Sequence, residues 1–362
     1  MFPLHSDTTP GRTAIIDGKT HLFFSGFSYL GAHAKTAFRE VFEAGLDLFG
    51  PVFISSRVAN IRLSIYEELE HALAVLFRQQ AAAAFSSGYL AAQAAIHYAQ
   101  SKGEILYAPS THPALRLHDA VLPTVGHEQW ALQTVALINS KPDHTFVIAA
   151  DAVNPLTSTI HNFSWLSAIE RKVMVVIDDS HGAGILGPEG EGIVHTLPLH
   201  PPVRYLITSS LAKAYSVEGG LVAGHAADIS AMKKLPFFTG STPIMPANAY
   251  AFLQSKPLYA AGRNKLQLNI HYLQQQVAKS TLVHNPFHLP VFLLQPAPHH
   301  PYIDQYLLEH DIIISSFAYP NPDSPAIHRV VVSALHEPFD LERIGSLIKN
   351  YELSITTPQN GA

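Results

Sequence analysis

The sequence predicts an α/β protein with a large and a small domain, on three observations. At 362 residues the chain exceeds the roughly 250–300 residues over which one hydrophobic core usually grows. Short apolar runs alternate with longer helical patterns, which is typical of βαβ units around a mostly parallel sheet covered by helices. The pattern changes near residue 245, and the rest is long enough for a small α+β domain. We therefore expect an N-terminal segment over 1–35, a large domain over 36–245 and a small domain over 246–362.

The first part of the chain alternates strand and helix candidates. Each strand candidate is short and nearly all apolar, as expected for a strand buried on both faces of a sheet. One helix candidate has leucines at helical spacing, and another is rich in alanine. The predicted strands are Ala81–Phe85, Glu104–Tyr107, Phe146–Ala150, Val173–Asp178, Tyr205–Thr208 and Leu221–Gly224, and the helices include Tyr66–Phe77 and Leu90–Gln100.

The last part of the chain mixes helices with fewer strands. Helical patterns cover Ala247–Ser255 and Ala261–Ala278. Further on, the predicted strands are Leu289–Leu294, Ile312–Ser315 and Arg329–Ser333, with helices that begin near Tyr302 and Asp340. This order indicates a separate α+β domain.

Composition excludes several classes of function. The net charge is −5 and we find no basic stripe, so a nucleic-acid partner is not expected. The chain has no cysteine, which excludes disulfides, thiolate nucleophiles and zinc sites built on sulfur. The 22 histidines are scattered and form no H-E-x-x-H helix, so we predict no metal site. His299-His300, beside prolines, is predicted to be a solvated loop.

The location of the protein is predicted from two further observations. No uncharged apolar run reaches the ~18 residues needed to cross a bilayer. The start, Met1–His5, lacks the basic and apolar regions of a secretory signal. We expect no membrane span and a cytoplasmic location. Charged residues make up only 14% of the chain, below the roughly 25% of typical soluble domains, which indicates surface buried in an oligomer.

Two polar segments follow neighbouring strands at the carboxyl ends, where α/β sheets bind ligands. Asp178 and Asp179 end one strand and are followed by His181 and a glycine-rich loop, and Lys213 follows the next strand. An enzyme that uses pyridoxal 5′-phosphate (PLP) needs a lysine for the Schiff base and an acid at the pyridinium nitrogen. Asp178 and Lys213 supply that pair. The alternatives are an aspartate that caps the glycine-rich loop and an ordinary surface lysine.

Three other features fit the same site. Ser87 and Gly88 open a helix after a strand, and the free N–H groups of a helix start can hold a phosphate. His112 follows the next strand, where an imidazole can stack on a planar cofactor or simply begin a helix. Arg329 starts an apolar strand of the small domain. Its guanidinium suits a carboxylate ligand, with a structural ion pair as the alternative.

Taken together these motifs resemble the α-oxoamine synthase family of fold-type I PLP-dependent enzymes. The family includes 8-amino-7-oxononanoate synthase, 2-amino-3-ketobutyrate CoA ligase and serine palmitoyltransferase. The resemblance covers nearly the whole chain, and its most specific part is the segment from Val176 to Gly192. It implies a fold-type I architecture, with a mostly parallel central sheet and a smaller C-terminal α+β domain.

The resemblance implies roles for individual residues. Lys213 resembles the lysine that carries the cofactor, and Asp178 the acid at the ring nitrogen. His181 resembles the donor to the phenolic oxygen, and His112 the stacking imidazole. Further positions that match the family's cofactor-binding residues are Ser87, Gly88, Tyr89, Ser210 and, toward a neighbouring subunit, Thr242.

The resemblance also implies a reaction and its partners. We expect a decarboxylating condensation of a small amino acid with an acyl thioester, expected to be acyl-CoA, which gives an α-aminoketone. Arg329 lies seven residues before His336, the spacing of the family's substrate-carboxylate arginine. The expected assembly is a homodimer with shared active sites.

Departures from the family pattern leave other functions open. Phe27 replaces a polar active-site asparagine, and only ten residues precede Gly11 where relatives carry a helical arm. An aminotransferase needs no thioester and would tolerate both departures. A 2-amino-3-ketobutyrate CoA ligase or serine palmitoyltransferase-like activity is a nearer alternative, and a catalytically silent partner subunit is a third.

Overall fold

The computed structural model describes residues 4–295, 302–318, 321 and 323–356, so the predicted loop at His299-His300 lies outside the described residues. The chain divides into two compact units. The large unit comprises 35–154 and 160–260, and the small unit comprises Met1–Ala34, Pro155–Thr159 and Ala261–Ala362.

The strands, in chain order, are β1 (Thr13–Ile16), β2 (Lys19–Phe24), β3 (Ala81–Phe85), β4 (Glu104–Tyr107), β5 (Phe146–Asp151), β6 (Val153–Asn154), β7 (Thr159–Ile160), β8 (Val173–Asp178), β9 (Val203–Ser210), β10 (Gly220–Gly224), β11 (Val283–His284), β12 (Val291–Leu294), β13 (Ile312–Ala318) and β14 (Ala326–Val331). The helices are α1 (Thr36–Phe49), α2 (Ser64–Leu76), α3 (Gly88–Gln100), α4 (His127–Ser140), α5 (Ala226–Met232), α6 (Pro236–Thr239), α7 (Pro246–Gln254), α8 (Lys256–Gln276), α9 (Ile303–Glu309) and α10 (Pro338–Thr356).

The large unit contains a six-stranded sheet in the order β3-β10-β9-β8-β5-β4. The neighbours from β4 to β9 are parallel, whereas β10 is antiparallel to both β9 and β3. The sheet is therefore mixed, with parallel strands in the majority. The antiparallel step arises because β10 follows β9 after only a short loop, and a parallel return needs a crossover of a dozen or more residues.

Small side chains let α3 pack closely on this sheet. Ala91 and Ala95 on the helix are fully buried and belong to the same apolar cluster as Val176, Leu206 and Val222 on the strands. The apolar runs predicted as strands thus lie in the buried core of the unit. Apolar runs and helical periodicity together predicted most of the observed strands and helices.

The carboxyl ends of the parallel strands lie side by side. In the register of the sheet, Asp151 at the end of β5 is opposite Asp178 at the end of β8, and Asp178 is opposite Thr208 near the end of β9. This edge of the large unit therefore carries the polar residues that follow each strand.

The small unit contains a second six-stranded sheet, in the order β1-β2-β13-β14-β12-β11. Only the β2–β13 pair is parallel. We expected residues 1–35 to form a segment of their own, but β1 and β2 belong to the same sheet as the C-terminal strands.

The division between the units also differs from the expected boundary at residue 245. In the structure the large unit continues to residue 260. The reason is that α7 packs against α1 and α2, so that it belongs to the core of the large unit.

Among the described residues, we find no helix both long and apolar enough for a membrane span.

Candidate active site

Lys213 and Asp178 lie at the same edge of the large unit, as their positions after neighbouring parallel strands predicted. Asp178 ends β8, and its Oδ1 accepts a hydrogen bond from the Ser180 N–H at 2.9 Å. Lys213 lies in the turn after β9. Burial lowers the pKa of the Lys213 ammonium, while the negative charges of Asp178 and Asp151 raise it and recover part of that shift.

His112 belongs to the same cluster. It precedes a short 3-10 turn over Pro113–Leu115, and its Nδ1 accepts a hydrogen bond from the Ala114 N–H at 3.2 Å. Burial lowers the pKa of the imidazole, Asp178 raises it, and the positive charge of Lys213 lowers it again. His112 therefore interacts electrostatically with both Asp178 and Lys213.

A cradle for an anion lies at the start of α3. Ser87 is the N-cap of α3, and its Oγ accepts a hydrogen bond from the Leu90 N–H at 3.1 Å. The first N–H groups of a helix have no partner within the helix and attract anions. A Cβ at Gly88 would lie 2.5 Å from the Ser210 Cβ, so glycine is what allows Ser210 to approach the helix start. Ser210 in turn donates its N–H to the Ser180 Oγ at 2.9 Å.

The other predicted residues of the large unit lie around these groups. His181 is half-buried in the turn that follows Asp179. Tyr89, at the start of α3, is 61% exposed, which leaves its ring accessible at the cradle. Thr242 is exposed in the segment between α6 and α7. Its predicted role involves a neighbouring subunit, so it stays a prediction.

Arg329 is a half-buried residue of β14 in the small unit. Its Nη1 donates a hydrogen bond to the Pro155 carbonyl oxygen at 3.2 Å, and its guanidinium carbon lies 4.8 Å from the centre of the Phe317 ring. Its Nε has no hydrogen-bond partner among the described residues. The guanidinium forms no salt bridge with a described carboxylate, so the alternative of a structural ion pair finds no partner there.

Asp179, which follows Asp178 in the chain, is buried and bonds to the protein backbone. It is fully buried, and its Oδ2 accepts a hydrogen bond from the Ile193 N–H at 2.7 Å. Burial raises the pKa of this carboxyl group well above its usual range. The alternative of an aspartate that caps the glycine-rich loop thus describes Asp179.

Asp151 is a residue of this edge to which the sequence analysis assigned no role. Its Oδ2 accepts a hydrogen bond from the His112 N–H at 2.8 Å. Burial and the charge of Asp178 raise the pKa of Asp151 to about 8. The signal was present in the sequence, because Asp151, like Asp178, directly follows an apolar run of a predicted strand.

A cavity elsewhere in the large unit is lined by none of the predicted site residues. It has a volume of about 580 Å³ and runs along the edge strand β4, where Tyr107, Leu117, Val121 and Trp130 contribute to its lining. Among the described residues no group of three or more histidine or acidic side chains is arranged to hold a metal ion. The cluster around Lys213 and Asp178 is therefore the candidate active site.

Comparisons with known proteins found relatives of the chain by sequence. No family model matches the chain. An 8-amino-7-oxononanoate synthase from Thermosipho melanesiensis is 25% identical over 350 residues, which cover 93% of this chain and 89% of that protein.

Solved structures share the fold. A serine palmitoyltransferase from S. paucimobilis with a bound PLP–myriocin aldimine matches with a TM-score of 0.84 and 17% identity, over 98% of this chain and 93% of that one. An 8-amino-7-oxononanoate synthase from Francisella tularensis matches with a TM-score of 0.71 and 20% identity, over 92% and 99% of the two chains. The expected fold-type I architecture is confirmed, and the chain is similar along most of its length to 8-amino-7-oxononanoate synthase.

Proposed function

We propose that this protein is a PLP-dependent acyltransferase. It joins a small amino acid to an acyl thioester, releases CO₂ and the thiol, and forms an α-aminoketone, as expected for an 8-amino-7-oxononanoate synthase-like enzyme. The observation that carries the proposal is the juxtaposition of Lys213 and Asp178 at one edge of the sheet, beside the anion cradle at the start of α3.

The residues present fit PLP in each of its three parts. Its aldehyde needs an unprotonated amine, and burial lowers the pKa of Lys213 in that direction. Its ring nitrogen needs an acid, which Asp178 supplies. Its phosphate needs N–H and hydroxyl donors, and Ser87, Gly88 and Ser210 surround the cradle that would hold it. When bound, PLP supplies an electron sink for the charge left on the substrate Cα.

Lys213 has two tasks in the proposed reaction. Its Nζ holds the cofactor before the amino acid binds. When it is free, the same Nζ would take the proton from the substrate Cα and later return a proton there. A lowered pKa favours both tasks, because only the unprotonated amine is a nucleophile and a general base.

Asp178 and the two histidines act on the cofactor. A carboxylate at Asp178 keeps a proton on the ring nitrogen, since an adjacent negative charge favours the protonated form. His112 would stack on the ring of the cofactor, and His181 would donate a hydrogen bond to its phenolic oxygen. Thr242 would contact the phosphate in the neighbouring subunit, and Tyr89 would help to hold the phosphate in its own subunit.

Arg329 binds the carboxylate of the amino acid. A guanidinium presents paired N–H donors that match the two oxygens of a carboxylate. In this chain its Nε has no partner among the described residues, which leaves donor capacity for a ligand. The acyl donor is an acyl thioester, expected to be acyl-CoA.

A visible absorption spectrum tests the cofactor. Purified protein incubated with PLP should show a yellow band that borohydride removes, and Lys213→Ala should lack the band. Lys234→Ala, which removes an exposed lysine of the same unit, is the matched control and should keep it. A band that persists in Lys213→Ala would contradict the assignment of this lysine.

A turnover assay tests the reaction. The holoenzyme is mixed with alanine, glycine or serine and with acyl-CoAs of several lengths, and free thiol and CO₂ are followed together. Release of free thiol and CO₂ in equal amounts supports the condensation. Conversion of bound cofactor to the pyridoxamine form by an amino acid alone would indicate an aminotransferase instead. Failure of every pair to react would indicate a silent partner subunit.

The cytoplasmic location and the homodimer stay predictions.

A further inference from the structure

A carboxyl group without a role in the proposed reaction lies inside the site. Asp151 is the last residue of β5 and is half-buried. In register it is opposite Asp178, and it interacts electrostatically with Asp178, Lys213 and Arg116. Its one hydrogen bond through Oδ2 is accepted from the backbone N–H of His112, at 2.8 Å.

The backbone of Asp151 is held by a hydrogen bond to the side chain of His161. The ring of His161 makes a hydrogen bond of 2.8 Å through Nδ1 to the Asp151 carbonyl oxygen, which accepts it. That ring stacks on His127 with 4.1 Å between ring centres. Together with the β5–β8 ladder, these contacts fix Asp151 relative to the sheet, so its side chain is a rigid anchor for whatever it binds.

The segment that Asp151 anchors carries the His112 imidazole. The ring is tied to its own turn because Nδ1 accepts the Ala114 N–H. The turn is tied to the sheet by the bond from the His112 N–H to Asp151 and by a bond of 2.7 Å from the Thr111 hydroxyl to the Ala108 carbonyl oxygen. The orientation of the imidazole is therefore set through the backbone, and the Asp151 carboxyl is one of the groups that set it.

Building on the proposed function, we propose that Asp151 is a positioning residue, whose carboxyl oxygen holds the His112 N–H and thereby fixes the His112 imidazole against the cofactor ring.

The protonation state of Asp151 supports this role. Burial and the negative charge of Asp178 raise the pKa of Asp151 to about 8, although the His112 N–H, Lys213 and Arg116 each lower it. A neutral carboxyl group keeps an acceptor oxygen for the His112 N–H. It also adds no second negative charge beside Asp178. An asparagine amide has nearly the same shape and the same acceptor, so it should replace the neutral acid.

The experiment compares the wild type with Asp151→Asn and Asp151→Ala. The readouts are the dissociation constant for PLP and the visible circular dichroism of the bound cofactor, with turnover as a third. We expect Asp151→Asn to bind PLP within about 3-fold of wild type and to keep its dichroic band. We expect Asp151→Ala to bind PLP on the order of 10-fold more weakly and to alter the band, because an unsatisfied N–H no longer holds the turn. Asp119→Asn, which removes an exposed carboxyl group of the same unit, is the matched control and should change neither.

A second measurement follows the carboxyl group itself, in protein without cofactor. The infrared difference between wild type and Asp151→Asn should contain the carbonyl band of a protonated acid at pH 6.5, and the band should disappear as the pH rises through about 8. If Asp151→Ala fails to fold, Asp151→Ser replaces it, because its hydroxyl is too short to reach the His112 N–H.

Two results would overturn the proposal. If Asp151→Asn behaves like Asp151→Ala, the group acts as an anion and not as a neutral acceptor. If Asp151→Ala behaves like wild type, the hydrogen bond does not position His112. A wild type that binds no PLP contradicts the proposed function itself, and the infrared measurement separates that failure from the failure of the Asp151 assignment.

Discussion

At the scale of single residues, adjacent aspartates serve different purposes because a strand directs successive side chains to opposite faces. Asp178 presents its carboxyl group to the site beside Lys213, whereas Asp179 points into the protein and binds the backbone of the glycine-rich loop. Gly182 and Gly192 make this possible, because a Cβ at either position would lie within 2.1 Å of an Asp179 oxygen. One carboxyl group is therefore available for chemistry and the other for structure.

We expect Asp178→Asn to fold and to bind PLP but to lower kcat on the order of 100-fold, because an amide does not stabilise a proton on the ring nitrogen. The checks are the melting temperature, the cofactor spectrum and the turnover rate. A variant with wild-type turnover would show that another group faces the ring nitrogen.

Asp179→Ala should have the converse effect. Removing its carboxyl group leaves the buried Ile193 N–H without an acceptor, so the free energy of unfolding should fall by about 1–3 kcal/mol. Chemical denaturation measures this change. The variant is also the comparison for Asp178→Asn, since a similar loss of stability in both would mean that the two aspartates do not differ in role.

His336 should make stability depend on pH. The ring is fully buried, stacks on Phe24 and accepts the Ser333 N–H at Nδ1, and burial lowers its pKa to about 4. Its pKa in the unfolded chain is about 6.5, so between these values the unfolded state binds more protons and stability falls as the pH falls. We expect a contribution of about 2 kcal/mol to be lost between pH 7 and pH 5.

Denaturation of wild type and His336→Asn at both pH values checks this expectation. Asparagine does not titrate, so the variant is less stable at pH 7 but should lose about 2 kcal/mol less than wild type on acidification. An unchanged difference between the two pH values would contradict the assignment of this pH dependence to His336.

At the scale of elements, the start of α3 is where we propose that the phosphate of the cofactor binds. The helix follows β3 after a two-residue turn, Ser87 caps it, and β10 and β9 bring Gly220 and Ser210 alongside. A Cβ at Gly88 would lie 2.5 Å from the Ser210 Cβ, and a Cβ at Gly220 would lie 2.3 Å from the Ser87 carbonyl oxygen. The cradle therefore depends on close packing between a helix start and two antiparallel strands.

Gly88→Ala should disturb this packing. The added methyl group meets Ser210, so we expect a loss of about 1–3 kcal/mol in the free energy of unfolding and a weaker affinity for PLP. Gly126→Ala is the matched control, because Gly126 is also at a helix start, as the N-cap of α4, but no described atom lies within 4 Å of its added Cβ. This substitution should change the free energy of unfolding by under about 1 kcal/mol. Equal effects of the two substitutions would contradict the close approach at Gly88.

At the scale of the whole molecule, the chain is interleaved between its two units. The small unit takes the first strands, a five-residue piece from the middle of the chain and the C-terminal part, while the large unit takes the rest. The residues proposed to hold the cofactor, among them Lys213 and Asp178, belong to the large unit, whereas Arg329 belongs to the small unit. The predicted homodimer adds a further requirement, since Thr242 would complete the site of its partner.

Mixing two inactive variants tests this shared site. Lys213→Ala and Thr242→Ala are unfolded and refolded together so that subunits exchange. If Thr242 acts across the interface, each mixed dimer contains one site with both changes and one intact site, and random mixing restores about a quarter of the wild-type sites. Turnover and PLP binding are measured against each variant refolded alone. A mixture without gain, in a sample that sedimentation shows to be dimeric, would mean that Thr242 does not complete a neighbouring site.

The sequence by itself determined the six strands of the large sheet and the helices α2 and α3, because apolar runs and helical periodicity directly record which residues are buried. It also indicated the site, since Asp178, Lys213 and the Ser87-Gly88 turn follow strands whose carboxyl ends must meet in a parallel sheet. Only the tertiary structure decided that the first two strands join the C-terminal sheet, that Asp179 is the residue that caps the glycine-rich loop, and that Asp151 holds His112. These outcomes depend on pairing and side-chain contacts between segments far apart in the chain, and a local pattern carries no record of such contacts.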